Sequence, residues 1–268
     1  MSGWAGIETF ADVSFLGGDR EEKLDAYLPD LAPWPGLRPA VIVIHGGGWA
    51  QGDKAEPRQR KIAAALTERG YAVFSINYRL THFSGEILKS PPVRSCWPDC
   101  LHDCLAAVRF VRANAASWRV DPARLAFFGL SAGAHLALLA AGTALRDRDV
   151  LSTVSAIISF YGPHDVREIG SRWHFGEPCE DAIAVREAAS PVLHFGPGLP
   201  PVFVAHGLED QTVPVRFARE LAAGLERHGV ACESHLLPGA GHGFDLDSPF
   251  ADLRAPVAAF LARHLAFF

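Results

Sequence analysis

Short apolar runs rich in Val, Ile and Phe alternate along the chain with longer stretches in which Ala, Leu and Arg recur at helical spacing. A strand that is apolar at every position has to be covered on both faces, so this alternation predicts an α/β fold: a mostly parallel sheet with helices on either side. The first such run is Ala40-Val41-Ile42-Val43-Ile44, and others are expected at Ala72–Ile76, Leu125–Phe128, Val154–Phe160 and Val202–Ala205, with a last one near Cys232–Leu237. Helices fit between them at Arg58–Arg69, Pro98–Asn114, Ala132–Thr143, Val215–His228 and Ala251–His264. Two earlier segments, Thr9–Leu16 and Lys23–Leu28, alternate apolar and polar residues around Gly17-Gly18-Asp19, which is the pattern of an antiparallel hairpin at a sheet edge. The total is about eight strands.

No repeat, low-complexity tract or Gly/Ser linker divides the chain, so residues 1–268 are read as a single domain. Two long irregular stretches, 80–97 and 163–197, are rich in Pro, Gly and aromatics and are expected to cover a pocket. Asp121-Pro122 and Val213-Pro214 read as turns.

At 268 residues with 49% hydrophobic and 21% charged positions, the chain has enough apolar material for a core without disulfides or metals. Lys and Arg number 25 against 30 Asp and Glu, with no basic block, which argues against a nucleic-acid partner. No apolar run reaches the 18 or so residues of a membrane span, and Met1 to Asp12 lacks the pattern of a signal peptide. A soluble, cytoplasmic protein is the expectation, although a leader removed from the native start would leave the same sequence. Five cysteines, an odd count, fit reduced thiols. Cys96, Cys100 and Cys104 stand four apart, where two thiolates on one helix face would suit a metal, but small apolar cysteines inside helices are more often packing residues. No metal or cofactor is expected.

Gly129-Leu130-Ser131-Ala132-Gly133 falls between an expected strand and an expected helix. Glycines beside a serine in such a sharp turn avoid collisions with neighbouring elements and push Oγ outward. Alone the motif is weak, arising by shuffling in roughly one chain in eight; its strand-to-helix setting makes Ser131 a candidate nucleophile. His45-Gly46-Gly47-Gly48-Trp49 ends the earlier buried strand, and glycines there let backbone N–H groups approach a substrate carbonyl. A phosphate cradle is disfavoured because no Lys-Ser/Thr follows at the required spacing. The amides of Gly47, Gly48 and Ala132 are the expected oxyanion hole, with His45 a structural hydrogen-bonder in the loop.

A serine nucleophile needs a base and a carboxylate that fixes the base's tautomer. His242, in Gly241-His242-Gly243-Phe244 after the last strand, is the best placed of twelve histidines. His102, His228 and His264 fall in expected helices, His206 is expected to be buried against the sheet, and His164, His174 and His194 lie in the irregular cover. For the acid, Asp210 after the Val202–Ala205 strand is preferred to its neighbour Glu209 and to Asp165, which follows one strand earlier and suits a helix cap. Trp49, Phe83, Trp97, Trp173 and Phe175 are candidate pocket-lining residues, with ordinary core packing as the competing role.

These residues resemble the α/β-hydrolase superfamily, and within it the esterase/lipase branch that carries a His-Gly-Gly-Gly loop, near acetyl esterases and feruloyl-esterase-like proteins. The likeness also takes in Leu24 to Pro29, Gly52-Asp53-Lys54, Asn77-Tyr78-Arg79, His102-Asp103-Cys104 and His206 to Pro214. Ala134 departs from it, since many relatives have a second glycine there. The resemblance implies an eight-stranded hydrolase sheet, Ser131, Asp210 and His242 as nucleophile, acid and base, and hydrolysis of a small-molecule acyl or aryl ester, including acetyl or feruloyl esters of plant carbohydrate, through an acyl-enzyme. An arylformamidase acting on an N-formylkynurenine-type amide is the alternative enzyme, and a hydrolase-shaped binding protein without turnover is the alternative from another class. A homodimer is compatible with the sequence.

Overall fold

Strand β3 (Arg38–Ile44) shows why the chain forms a two-sided layer. Ala40, Ile42 and Ile44 join one apolar cluster, whereas Val41 and Val43 join a second on the opposite face. Alternate side chains of a strand point to opposite faces, so a strand apolar throughout is stable only between two layers of helix. The computed structural model describes residues 6–87, 89–90, 92–169 and 182–265.

The other strands are β1 (Ile7–Val13), β2 (Leu24–Pro29), β4 (Ala72–Ile76), β5 (Val120–Leu130), β6 (Ala156–Phe160), β7 (Val202–Gly207) and β8 (Cys232–Leu237). They form one eight-stranded sheet in the order β1-β2-β4-β3-β5-β6-β7-β8. From β4 to β8 every neighbour is parallel, while β2 pairs antiparallel with both β1 and β4. Helices α2 (Asp99–Ala113), α3 (Ala132–Arg146) and α4 (Arg216–Arg227) cover one face; α1 (Pro57–Thr67) and α5 (Arg254–Leu265) cover the other. This is the α/β-hydrolase architecture expected from the sequence. No helix among the described residues is long and apolar enough to cross a membrane.

Three of the boundaries that differ from the sequence reading have a visible local cause. The edge hairpin stops pairing at Val13 opposite Leu24, so residues 14–23 form its loop. A bulge between Phe10 and Val13 ends the ladder: Asp12 adopts φ 54° and its N–H donates to the Asp25 carboxylate at 2.9 Å. Strand β5 begins earlier than expected because Val120 pairs with Arg38, and the turn-like Asp121-Pro122 sits in the irregularity before Leu125 rejoins opposite Ala40. Helix α5 begins at Arg254 rather than Ala251, because Ala251–Asp252 pairs with Asp247–Ser248 and the Asp252 carboxylate then accepts the Arg254 N–H.

The stretch 80–97 contains a small hairpin, His82–Phe83 against Pro92–Arg94. Of the second stretch, residues 163–169 and 182–197 are described. Cys100 and Cys104 on α2 and Cys96 just before it are fully buried in the core, where burial pushes the Cys100 and Cys104 thiols well above their ordinary pKa.

Candidate active site

Ser131 stands between the end of β5 and the start of α3 in a conformation that L-residues rarely adopt, φ 52° and ψ −115°. The turn is locked by its backbone: the Ser131 N–H donates to the Phe160 carbonyl at 2.9 Å, and the Ser131 carbonyl accepts from Ala134 and His135 at 2.9 and 3.1 Å. A Cβ on Gly133 would lie 2.1 Å from the Ile44 carbonyl oxygen, so only glycine lets α3 start this close to the end of β3. That closeness brings the residues after β3 against the serine.

Those residues form the glycine bend. Gly47 adopts φ 107°, and a Cβ there would fall 2.0 Å from the Gln51 carbonyl oxygen. The Gly47 carbonyl accepts the N–H groups of Ala50 and Gln51, both at 3.1 Å. His45 lies beneath the bend, stacked on Tyr78 with ring centroids 4.4 Å apart and its Nδ1–H donating to the Gly46 carbonyl at 2.7 Å. Burial pushes its pKa down to about 4, so it is a neutral structural ring, as its position in the sequence suggested.

Asp210 and His242 arrive from the C-terminal ends of β7 and β8. The structure brings both to Ser131: His242 Nε2 is 3.0 Å from Ser131 Oγ, and His242 Nδ1 is 2.7 Å from Asp210 Oδ2. The first contact fits the hydroxyl donating to an unprotonated Nε2, and the second fits Nδ1–H donating to the carboxylate. Asp210 Oδ1 accepts the N–H groups of Thr212 and Val213, each at 2.8 Å. Burial opposes the charge on Asp210, but donors from His206, His242 and the Val213 amide outweigh it and hold the carboxyl well below the usual carboxylate range. Asp165 is engaged elsewhere: Arg167 and Ser190 bind its carboxylate at 2.6 to 3.1 Å.

The His242 loop is fixed by α1. Arg58 Nε donates to Asp245 Oδ1 at 2.7 Å, Arg58 Nη2 donates to the Gly243 carbonyl, and Lys61 Nζ donates to Asp245 Oδ2 at 2.8 Å. On the other side the Tyr161 ring meets the imidazole edge-on at 5.0 Å, and its hydroxyl donates to the Phe244 carbonyl.

Two cavities meet at Ser131. The larger, about 520 Å³, includes His242, Gly47, Gly48 and the polar side chains of Gln51, Glu56 and Arg58. The smaller, about 10 Å³, is apolar and is walled by Trp49, Ala132, Pro163, Ile169 and Val213. Trp49 is thus beside the serine, buried, with its indole N–H donating to His135 Nδ1 at 3.2 Å. Phe83 lines neither cavity. Trp97 lines a separate one of about 440 Å³ between α2 and α3 that contains none of Ser131, Asp210 or His242. Trp173 and Phe175 lie outside the described residues. Sequence reasoning missed Arg58, Tyr161, His135 and the proximity of His206 to Asp210. Only His135, one helical turn beyond Ser131, and His206, four residues before Asp210, carried a local signal in their spacing.

Esterase LipQ of Mycobacterium tuberculosis is 34% identical over 257 residues, covering 88% of this chain and 57% of LipQ; the chain spans just over half the length of the curated relatives it matches. Among solved structures, Thermogutta terrifontis esterase 2 phosphorylated by paraoxon is 27% identical with a TM-score of 0.71, covering 96% of this chain and 92% of that one. The butyrate-bound form of the same esterase is 26% identical with a TM-score of 0.72, covering 98% and 96%. The likeness runs from the antiparallel edge of the sheet through α4, because the family model BD-FAE matches residues 24–225. The chain belongs to the BD-FAE family.

Proposed function

We propose that this protein is a serine carboxylic ester hydrolase that cleaves short-chain acyl esters through an acyl-enzyme. The observation that carries the reading is the continuous hydrogen-bonded path from Ser131 Oγ through His242 to Asp210, at 3.0 and 2.7 Å, starting from a serine on a strained turn. Ser131 attacks the ester carbonyl as His242 takes the hydroxyl proton, and Asp210 stabilises the imidazolium. The amides of Gly47, Gly48 and Ala132 receive the oxyanion; Ala132 opens α3, whose first amides have no intrahelical acceptor. His242 then protonates the departing alcohol, and water attacks the acyl-enzyme in the same way. The esterase names of the relatives and the paraoxon-phosphorylated esterase of the same fold support this chemistry.

The unequal cavities support a division of the substrate. The leaving oxygen has to reach His242, which lines only the larger cavity, so the alcohol occupies the wide polar side and the acyl group the narrow apolar one. A pocket that small admits an acyl group of methyl size, as in acetyl esters. Paraoxon and a fluorophosphonate probe test the nucleophile: peptide mapping is expected to find the phosphoryl group on Ser131, and a label elsewhere, or none, overturns the assignment. A series of aryl esters of rising chain length is expected to show turnover falling steeply beyond the shortest members. Parallel assay of N-formylkynurenine decides between ester and amide, with faster amide turnover counting against the ester reading.

A further inference from the structure

We infer that His206 is a positioning residue for the proposed acid: a buried imidazole that holds the turn carrying Asp210 and shares the Asp210 carboxylate with His242. The inference rests on the reading of Ser131, His242 and Asp210 given above. His206 is the penultimate residue of β7, 1% exposed, and shares a sheet face with Val202 and Val204, under α4. Its Nε2 lies 2.7 Å from the Val213 carbonyl and 3.3 Å from Asp210 Oδ2. Nδ1 is buried and has no partner among the described residues. A ring with two acceptors at one nitrogen and none at the other keeps its proton on the first, because a buried N–H facing nothing is costly. Nε2 therefore carries a proton, directed at the Val213 carbonyl and beside the Asp210 carboxylate.

Two consequences follow from that placement. Val213 is held at both of its backbone polar groups, its N–H by Asp210 Oδ1 at 2.8 Å and its carbonyl by His206, so the ring fixes the turn from which the carboxylate projects. The Nε2–H also draws on Oδ2, the same oxygen that receives His242 Nδ1–H. Removing this donor leaves more carboxylate charge to His242 and stabilises its imidazolium, which moves the His242 titration to higher pH. The other ionisable groups around the pair are fixed by separate contacts. The Tyr161 phenol is kept protonated by burial, Arg58 is tied to Asp245 and Gly243, the His164 ring is held neutral by burial with a pKa of about 4, and Arg216 of α4 is bound to Glu168.

The test follows the His242 imidazole by NMR titration in the unliganded full chain, in parallel with pH profiles of kcat/KM on an aryl acetate. In His206→Leu the His242 pKa and the acid limb of the profile are both expected to rise by about half a unit, with kcat lowered and KM little changed. His206→Gln, whose side-chain amide nitrogen reaches the position of Nε2, is expected to restore both. His206→Asn is too short to reach and is expected to resemble the leucine variant, which keeps the test intact if His206→Leu fails to fold. An unmoved His242 titration in His206→Asn, or equal displacement by Gln and Asn, overturns the inference. Because the titration needs no turnover, a wild-type chain inactive on esters counts against the proposed function and leaves the NMR result to decide the role of His206.

Discussion

Ser131 and the glycine bend are held mainly by close backbone approach, whereas the loops carrying Asp210 and His242 are clamped in addition by distant side chains. On the first side, close approach is made by absent Cβ atoms at Gly47 and Gly133 and by a positive φ at Ser131. On the second side, the loops after β7 and β8 are pinned by Arg58 and Lys61 of α1, by Tyr161 and by His206, which come from three different parts of the chain. A backbone-built half tolerates almost no change and fails by unfolding, while a side-chain-built half fails by degrees. The variants below separate these modes of failure.

The largest effect is expected where chemistry alone is removed. Ser131→Ala should lower turnover of a small activated ester by on the order of 10⁴-fold or more, with the fold retained by circular dichroism. Wild-type turnover in that variant removes the central assignment. Next comes the backbone half itself. Gly133→Ala places a methyl 2.1 Å from the Ile44 oxygen, and the resulting strain should cost about 3 kcal/mol of unfolding free energy, read from a urea titration. Gly47→Ala behaves alike, since its methyl meets the Gln51 oxygen at 2.0 Å. Substitution there reports on folding before it reports on oxyanion binding, and a stable, fully folded variant at either position contradicts the close approach.

The same contrast explains what was legible in the sequence. β3, β4, β6 and β7 were placed to within two residues because nearly uniform apolar runs announce strands buried on both faces. The elbow and the glycine bend were legible because each is a contiguous motif whose glycines have a local steric reason. Asp210 and His242 were legible from their order and from the strand ends that carry them. The clamps were not. Arg58 and Asp245 are 187 positions apart, and nothing in the first turn of an amphipathic helix marks one arginine as the partner of a distant loop. Phe83 and Trp97 were proposed for the pocket because they are aromatic and in irregular segments, but composition does not say which way a cover folds, and Trp97 turns toward the gap between α2 and α3.

Acid should loosen the backbone half. Burial holds the rings of His45, under the bend, His135, in the elbow helix, and His164 at pKa values of about 4. An unfolded histidine titrates near 6.5, so between about 6.5 and 4 the unfolded chain binds protons that the folded chain refuses, and stability falls as pH drops through that window. Each ring contributes up to about 3 kcal/mol to that fall. The urea midpoint should drop steeply between pH 7 and pH 4.5, and a flat profile contradicts neutral buried rings. On the side-chain half, Arg58→Met should leave folding intact but free the Gly243–Asp245 segment, lowering kcat by about tenfold through misplacement of His242. An unchanged kcat means that Lys61, Tyr161 and the turn hold the loop without Arg58.

The smallest effect probes the strain at the elbow directly. Ser131 has φ 52° and ψ −115°, a region that costs a residue bearing Cβ roughly 1–3 kcal/mol. Glycine removes that cost but adds freedom to the unfolded chain worth about 0.5–1 kcal/mol. Ser131→Ala keeps the strain and loses the hydroxyl; Ser131→Gly loses both, so the difference between the two variants isolates the backbone. Ser131→Gly should be the more stable by about 1 kcal/mol, measured as the shift in urea midpoint at constant slope. A Ser131→Gly variant less stable than Ser131→Ala would mean that the turn rests comfortably with a Cβ, and that Gly129 and Gly133, whose Cβ positions would lie 2.3 Å and 2.1 Å from backbone oxygens, fix the geometry without help from a strained serine.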